Sequence, residues 1–194
     1  MYDPPGPEPQ DEWFEIYNFG DGDIDITGWT FTDGEGEFTL TQTTILPANS
    51  YFVFGYTETS ADTVDFVYGA LAPNFQLANI LGGVSDNVII LDDNGIIVDE
   101  VNYSANWGGE SGKGPISITL ERKSPTGGSN DENNWFSSQE LGGTPGMPNN
   151  KHYITNVYSS WGEFNPYLND SAAIHFTALT NGYVDITLFD TVGG

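Results

Sequence analysis

The sequence predicts an all-β protein, and three observations lead to that prediction. The chain has 194 residues with 24 glycines and 11 prolines, so turn-forming residues interrupt it too often for long helices. No segment repeats apolar residues at the 3.6-residue spacing of an amphipathic helix, whereas several short segments alternate apolar and polar residues. Aromatic residues make up 14% of the chain, a composition typical of a packed core rather than of disorder.

Short strands and turns can be assigned in order along the first forty residues. Residues 13–17 are predicted to form a strand. The next segment, 23–27, alternates apolar and acidic residues, which predicts a strand with Ile24 and Ile26 facing the core. Asp33-Gly34 then predicts a hairpin turn.

The middle of the chain has the clearest strand patterns. Residues 51–56 are apolar on both faces, which predicts a central strand. The segments 87–91 and 96–101 are joined through Asn94-Gly95, the pair that favours a tight hairpin turn. Residues 116–120 alternate again. About nine strands follow, spaced by roughly 8–12 residues, as in β-sandwiches.

Two β units are predicted. Residues 1–148 would form a β-sandwich, 149–152 a linker, and 153–194 part of a second sandwich. The second unit would contain three strands, at 153–158, 173–179 and 183–189. Because a sandwich needs roughly seven strands, we expect this second β unit to be incomplete.

The charge of the chain limits its partners. Lys and Arg total 4 against 28 Asp and Glu, a formal charge of −24, and residues 1–112 contain no Lys or Arg. Nucleic acids and anionic lipids would be repelled, since both are bound mainly through cationic side chains. Proteins, neutral glycans and cations are the expected partners. No apolar run approaches the ~20 residues that span a bilayer, so membrane insertion is not expected.

Cysteine is absent, which excludes disulfides and thiolate metal sites. Small secreted domains of eukaryotes usually contain disulfides, so this absence favours a bacterial or archaeal source. The first residues have no basic start followed by an apolar stretch, so no signal peptide is predicted there.

Several motifs resemble those of bacterial lamin-tail domains, in the same order. They lie at 12–18 (Glu-Trp-Phe-Glu-Ile-Tyr-Asn), 24–30, 86–91, 98–103, 134–135, 143–146 (Gly-Thr-Pro-Gly) and 148–149. The resemblance covers residues 2–149 and implies an immunoglobulin-like β-sandwich without an enzyme active site. In bacteria this module belongs to secreted and cell-surface proteins. Lamin-tail domains usually begin with a strand ahead of Tyr2, so the first strand is expected to be missing.

Residues 153–194 are similar to the start of a second family. Their Asn165-Pro166 turn and the strands around it resemble the immunoglobulin-like domain of flagellar hook-capping proteins. They also resemble the C-terminal domains that direct type IX secretion.

Two acidic segments are candidate calcium sites. Asp33, Glu35 and Glu37 share one short loop, and Asp92 and Asp93 share a turn. Carboxylate oxygens are preferred Ca²⁺ ligands, although the chemistry of a hairpin turn also explains the second pair. Ca²⁺ is therefore the cofactor that these acidic segments suggest, and the alternative is that the chain binds no cofactor.

One tryptophan is a candidate binding residue. Trp107 lies in a glycine-rich segment, Asn106-Trp107-Gly108-Gly109, which makes it the tryptophan to test for exposure and for contact with a glycan or a protein. No catalytic residues are expected. The two histidines, His152 and His175, fall in the linker and the second unit, an arrangement that does not suit a Ser-His-Asp triad.

The sequence therefore predicts a non-catalytic interaction or adhesion module of a secreted or cell-surface bacterial protein. Its partner would be a protein or a glycan. One alternative is a structural subunit of an extracellular assembly, in which strands from neighbouring copies complete each sandwich. A further alternative is an adhesion module stabilised by calcium.

Overall fold

A computed structural model describes residues 1–4, 6–77, 85–109, 118–138 and 140–149, together with two strands near the end of the chain. The chain divides into two compact units, Met1–Asn150 and Lys151–Gly194. In the described ranges the regular structure is β-strand with two 3-10 helices, at Ala105–Trp107 and Glu132–Asn134. The prediction of an all-β protein is confirmed.

The first unit contains eleven strands in its described part. They are β1 (Trp13–Asn18), β2 (Ile24–Asp25), β3 (Thr30–Thr32), β4 (Glu37–Thr39), β5 (Ile45–Leu46), β6 (Ser50–Gly55), β7 (Phe66–Val67), β8 (Ser85–Leu91), β9 (Ile97–Ser104), β10 (Leu120–Arg122) and β11 (Trp135–Ser137).

Two larger sheets dominate this unit. One has the strand order β1-β6-β7, and the other is antiparallel with the order β4-β3-β8-β9. The pairs β2–β5 and β10–β11 form small separate sheets. β6 is central in its sheet, as predicted for residues 51–56, and β8 and β9 form the predicted hairpin.

Aromatic side chains join the two larger sheets. Phe31 on β3 and Phe54 on β6 are fully buried, and their ring centroids lie 4.5 Å apart. Phe14 on β1 stacks on Phe54 at 4.7 Å, and Tyr68 and Phe75 close the same cluster. The inner faces of the sheets therefore pack as a sandwich, because alternate residues of each strand point towards the other sheet.

The prediction for Ile24 is wrong. Ile26 is fully buried, but Ile24 is 37% exposed. β2 ends at Asp25, whose carboxylate accepts a hydrogen bond from the N–H of Thr27 at 2.9 Å. Because this turn bends the chain between the two isoleucines, the alternation does not place them on one face.

The segment ahead of β1 is part of the fold. Met1 and Trp13 exchange two backbone hydrogen bonds, of 2.9 Å and 3.3 Å. Met1, Tyr2 and Asp3 are buried. The expected absence of a first strand stays a prediction.

Part of the prediction for residues 116–120 lies outside the described residues. The strand seen nearby is β10, which pairs with β11. In the second unit, β12 (Ile154–Ser159) and β13 (Ile174–Ala178) pair antiparallel. They overlap two of the three predicted strands, and the third, at 183–189, lies outside the described residues. The predicted domain boundaries stay predictions.

Candidate interaction surfaces

Hydrogen bonds connect the start of the sandwich to its end, that is, the motif at 12–18 to the motif at 143–146. Glu15 on β1 accepts a hydrogen bond at Oε2 from the N–H of Gly146, at 2.8 Å. Glu121 on β10 accepts one at Oε1 from the hydroxyl of Thr144, at 3.2 Å, and one from Thr119 at 3.1 Å. Two carboxylates from distant parts of the chain thus hold the closing segment, residues 142–148.

Glycine is required in this closing segment. Gly143 and Gly146 have φ of +75° and +73°, a region that side chains disfavour. A Cβ atom at Gly143 would also lie 2.5 Å from the side chain of Thr119. The Gly-Thr-Pro-Gly motif is therefore explained by folding.

Several carboxyl groups are buried inside the sandwich. Burial raises the pKa of Glu12 to about 8, that of Glu15 to about 7 and that of Asp86 to about 6. Glu12 accepts a hydrogen bond at Oε2 from the N–H of Leu77 at 2.8 Å, while its buried Oε1 has no hydrogen-bond partner among the residues that the structure describes. Burial likewise raises the pKa of Tyr68.

The hydrogen bonds of Glu12 and Glu15 contribute to the fold. Perturbed carboxyls can mark an active site when they line a cleft, but Glu12 and Glu15 here accept hydrogen bonds from backbone N–H groups of their own chain. The bond from Leu77 satisfies a donor that burial would otherwise leave unpaired.

The first candidate calcium loop uses its aspartate as a backbone acceptor. Asp33 is buried, and its carboxylate accepts hydrogen bonds from the N–H groups of Glu35, Gly36 and Gln76 at 2.7–2.9 Å. The side chains of Glu35 and Glu37 are exposed.

The second candidate site is a hairpin turn. Asp92 accepts hydrogen bonds from the N–H groups of Asn94 and Ile96, at 2.9 Å and 2.8 Å, and these bonds lower its pKa. Asp93 accepts one from the side chain of Asn94 at 2.7 Å. Over the described ranges, no three acidic or histidine side chains are grouped so that they could hold a metal ion. The calcium site stays a prediction.

Trp107 is partly buried and has an aromatic neighbour. It packs against the main core, and its ring centroid lies 6.4 Å from that of Trp135. The two residues that follow it are hydrogen-bonded to hydroxyl groups. The hydroxyl of Tyr2 donates to the carbonyl of Gly108 at 2.9 Å, and the N–H of Gly109 donates to the hydroxyl of Ser137 at 3.0 Å. Both tryptophans keep part of their surface exposed, so the binding role of Trp107 stays a prediction.

Sequence reasoning missed an apolar surface at the end of the β8–β9 hairpin. Three consecutive side chains, Ile96, Ile97 and Val98, are 64%, 53% and 50% exposed. The signal was present in the sequence, because this run is too apolar for a hairpin end facing water on both sides.

The described part of the chain contains no helix that is both long and apolar enough to cross a bilayer.

Comparison with known proteins identifies the family. The sequence model of the lamin tail domain matches residues 1–105, more than half of the 194 residues. The chain belongs to the lamin tail domain family. No curated protein matches the chain.

The lamin tail domain has an immunoglobulin-like fold, as the sandwich here does, and is often used for protein interaction. It is not a known enzyme family. The matched residues include β1 to β9, whereas the closing segment held by Glu15 and Glu121 lies beyond the match. The resemblance of residues 153–194 to a second family stays a prediction.

Proposed function

We propose that this lamin tail domain is a non-catalytic interaction and adhesion module of a secreted or cell-surface bacterial protein, and that its partner is another protein. One observation carries this proposal. The β8–β9 hairpin exposes Ile96, Ile97 and Val98 side by side on a chain with a formal charge of −24. A contiguous group of exposed apolar side chains can mark an interaction site, whereas exposed apolar residues scattered singly are ordinary surface.

The interior supports the same conclusion. Glu12, Glu15 and Asp33 are acids that could otherwise suggest catalysis. Each of them accepts a hydrogen bond from a backbone N–H group elsewhere in the chain. A module of this kind uses its buried acids to hold the fold and its surface to recognise a partner.

A cell-binding assay tests the proposal. The full chain, labelled with a fluorophore, is added to cells of the source organism, and binding is measured with and without excess unlabelled chain. We expect saturable binding that the unlabelled chain displaces and that protease treatment of the cells abolishes. Binding that does not saturate would overturn the proposal.

A glycan partner is the second candidate, and the Trp107–Trp135 pair favours it, since adjoining indole rings can stack on sugars. In the same assay, glycosidase treatment of the cells would abolish binding and protease treatment would not. The variant Trp107→Ala would bind at least tenfold more weakly. Its melting temperature should fall, because Trp107 packs against the core, so a melting curve is recorded as the control that the variant is folded at the temperature of the assay.

Two further measurements address the alternatives. A mass that stays monomeric across a concentration series would exclude the assembly of neighbouring copies. A melting temperature that is unchanged by millimolar Ca²⁺ would exclude stabilisation by calcium, because a ligand that binds the folded state raises the midpoint.

A further inference from the structure

The register of the four-stranded sheet places Ile97 on its outer face. Phe31 on the inner face is paired with Ile90, so the neighbouring row, in which Thr30 pairs with Leu91 and Leu91 with Ile97, points away from the core. A second outward row pairs Ile89 with Glu100.

A bulge concentrates this apolar surface at one corner. The β8–β9 register shifts between Ile90 and Leu91, which leaves Val98 as an extra residue beside Ile97. We call the five apolar side chains around this point the hairpin corner; they are Ile89, Leu91, Ile96, Ile97 and Val98. The rest of the outer face is polar, and the hydroxyls of Thr30 and Thr39 lie 2.8 Å apart.

The edge of β9 next to the corner is already occupied. The N–H of Asn102 donates to the side chain of Asn130 at 2.7 Å, and Asn130 also donates to Glu100 at 3.2 Å. Arg122 forms an ion pair with Asp99 at 2.7 Å. A partner strand therefore cannot pair with residues 99–102 of β9 without displacing these contacts. The outer face stays open to contact through side chains.

The acidic side chains around the hairpin corner favour a partner that carries positive charge. Asp92 and Asp93 lie at the turn and Glu100 lies beside Ile89. The nearby Arg122 is paired with Asp99, and residues 1–112 contain no Lys or Arg that could balance the other three acids. A second copy of the chain would bring the same negative charges to the contact and be repelled. A cationic partner would be attracted.

We propose that the hairpin corner binds a segment of another protein that presents apolar side chains next to Lys or Arg. The apolar side chains contact Leu91, Ile97 and Val98, and the cations lie against Asp93 and Glu100. This proposal rests on the proposed function, and it names the surface and the chemistry of the partner.

Peptide binding to the full chain tests the corner directly. The probes are three synthetic octapeptides of alternating Lys and Val, Lys and Ser, or Glu and Val. We expect the Lys–Val peptide to bind at least tenfold more tightly than the Lys–Ser peptide, and the Glu–Val peptide not to bind. Equal binding of the two cationic peptides would overturn the proposal, because charge alone would then account for it.

A pair of variants locates the contact. The double variant Ile97→Thr/Val98→Thr should lose at least tenfold in affinity for the Lys–Val peptide. The matched control is Ile45→Thr/Val67→Thr, which alters two residues that are 49% and 37% exposed elsewhere, and it should bind as the parent chain does. Equal losses in both variants would contradict the assignment.

A variant without two of the acidic charges tests whether they contribute to peptide binding. Asp93→Asn/Glu100→Gln keeps the shape of the corner and should weaken Lys–Val binding at least threefold, with a smaller dependence on salt. An unchanged affinity would contradict the role of the acidic rim.

The cell-binding assay separates the two proposals. If the parent chain binds cells saturably and Ile97→Thr/Val98→Thr binds equally well, the corner proposal fails and the module function stands. If the parent chain does not bind saturably, the module function fails, whatever the peptides do. A dimer that this double variant abolishes would show that the corner binds another copy, and would also overturn the corner proposal.

Discussion

The two faces of the four-stranded sheet use the same strands in different ways. On the inner face, Phe38, Phe31 and Ile90 lie in one cross-strand row, and Phe31 packs on Phe54 of the opposite sheet. On the outer face, the neighbouring row runs through Thr30 and Leu91 and ends at Ile97, which is 53% exposed.

The difference shows which apolar residues packing explains. Burial against a second sheet fully explains Phe31. Nothing in the described part of the molecule covers Ile97 and Val98 to a similar extent, so folding alone does not account for them. Apolar side chains left exposed in a cluster are therefore the clearest sign of recognition in this domain.

The largest expected effect comes from the inner face. Phe31→Ala should lower the free energy of unfolding by about 3–5 kcal/mol, because it removes a fully buried ring and leaves a cavity among Phe14, Phe38 and Phe54. Denaturant titration measures it. A loss below about 1 kcal/mol would mean that the inner face is not the packed core described above.

The pH dependence of stability tests the carboxyls buried within the sandwich. Burial raises the pKa of Glu12 from 4.5 to about 8 and that of Glu15 from 4.5 to about 7. The folded chain therefore keeps protons that the unfolded chain releases above about pH 4.5. Stability should be highest near pH 4.5 and fall as the pH rises to about 8, by an amount on the order of a few kcal/mol.

Asp86 acts in the same direction, with a pKa of about 6. The amino group of Met1, whose pKa burial lowers to about 5, acts in the opposite direction, but one amine opposes three carboxyls. Melting temperatures from pH 4.5 to 8.5 give the slope. Glu12→Gln should flatten it, since the amide still accepts from Leu77 and cannot ionise, and an unchanged slope would show that Glu12 does not carry the effect.

Stability should be next most sensitive to the hydrogen bond between Glu15 and Gly146, which connects the start of the sandwich to its end. Glu15→Ala removes the acceptor of the Gly146 N–H and should cost about 0.5–1.5 kcal/mol, the net contribution of one hydrogen bond, because water can replace the acceptor at the exposed Gly146. Glu15→Gln keeps an acceptor and serves as the control. Equal losses for both variants would show that the charge matters, rather than the hydrogen bond.

The smallest effect is expected on the outer face. Ile97→Thr/Val98→Thr should change the free energy of unfolding by less than about 0.5 kcal/mol, because surface positions without special contacts tolerate substitution. A decrease in the free energy of unfolding as large as that of Phe31→Ala would show that the two faces do not differ in packing. It would indicate that the hairpin corner is covered within the folded chain.

Local chemistry was enough to predict much of the fold. Asn94-Gly95 requires a turn whatever surrounds it, because Gly95 takes a positive φ of 77° and Asp92 caps the turn within five residues. The central position of β6 followed from a segment that is apolar on both faces. Such signals depend on neighbours in the chain and can be read without the tertiary structure.

The candidate sites depended on distant contacts. Asp33 was selected as a calcium ligand because it lies near Glu35, but its carboxylate also binds the N–H of Gln76, more than forty residues away. Glu15 lies in the 12–18 motif, but nothing in the sequence pairs it with Gly146, because their hydrogen bond joins the two ends of the sandwich. Neither contact could be derived from spacing.

Composition and turn chemistry thus determine the all-β class, the places where the chain reverses and the sign of the surface charge. The tertiary structure decides which acids are buried and which apolar residues face water. The physical reason is that alternation along a strand defines two faces, whereas only the packing of one sheet on another decides which face is covered. Ile24, Ile26 and Ile97 have similar side chains but different exposure. Ile26 is buried in the core, the turn at Asp25 leaves Ile24 partly exposed, and Ile97 lies on the outer face of its sheet.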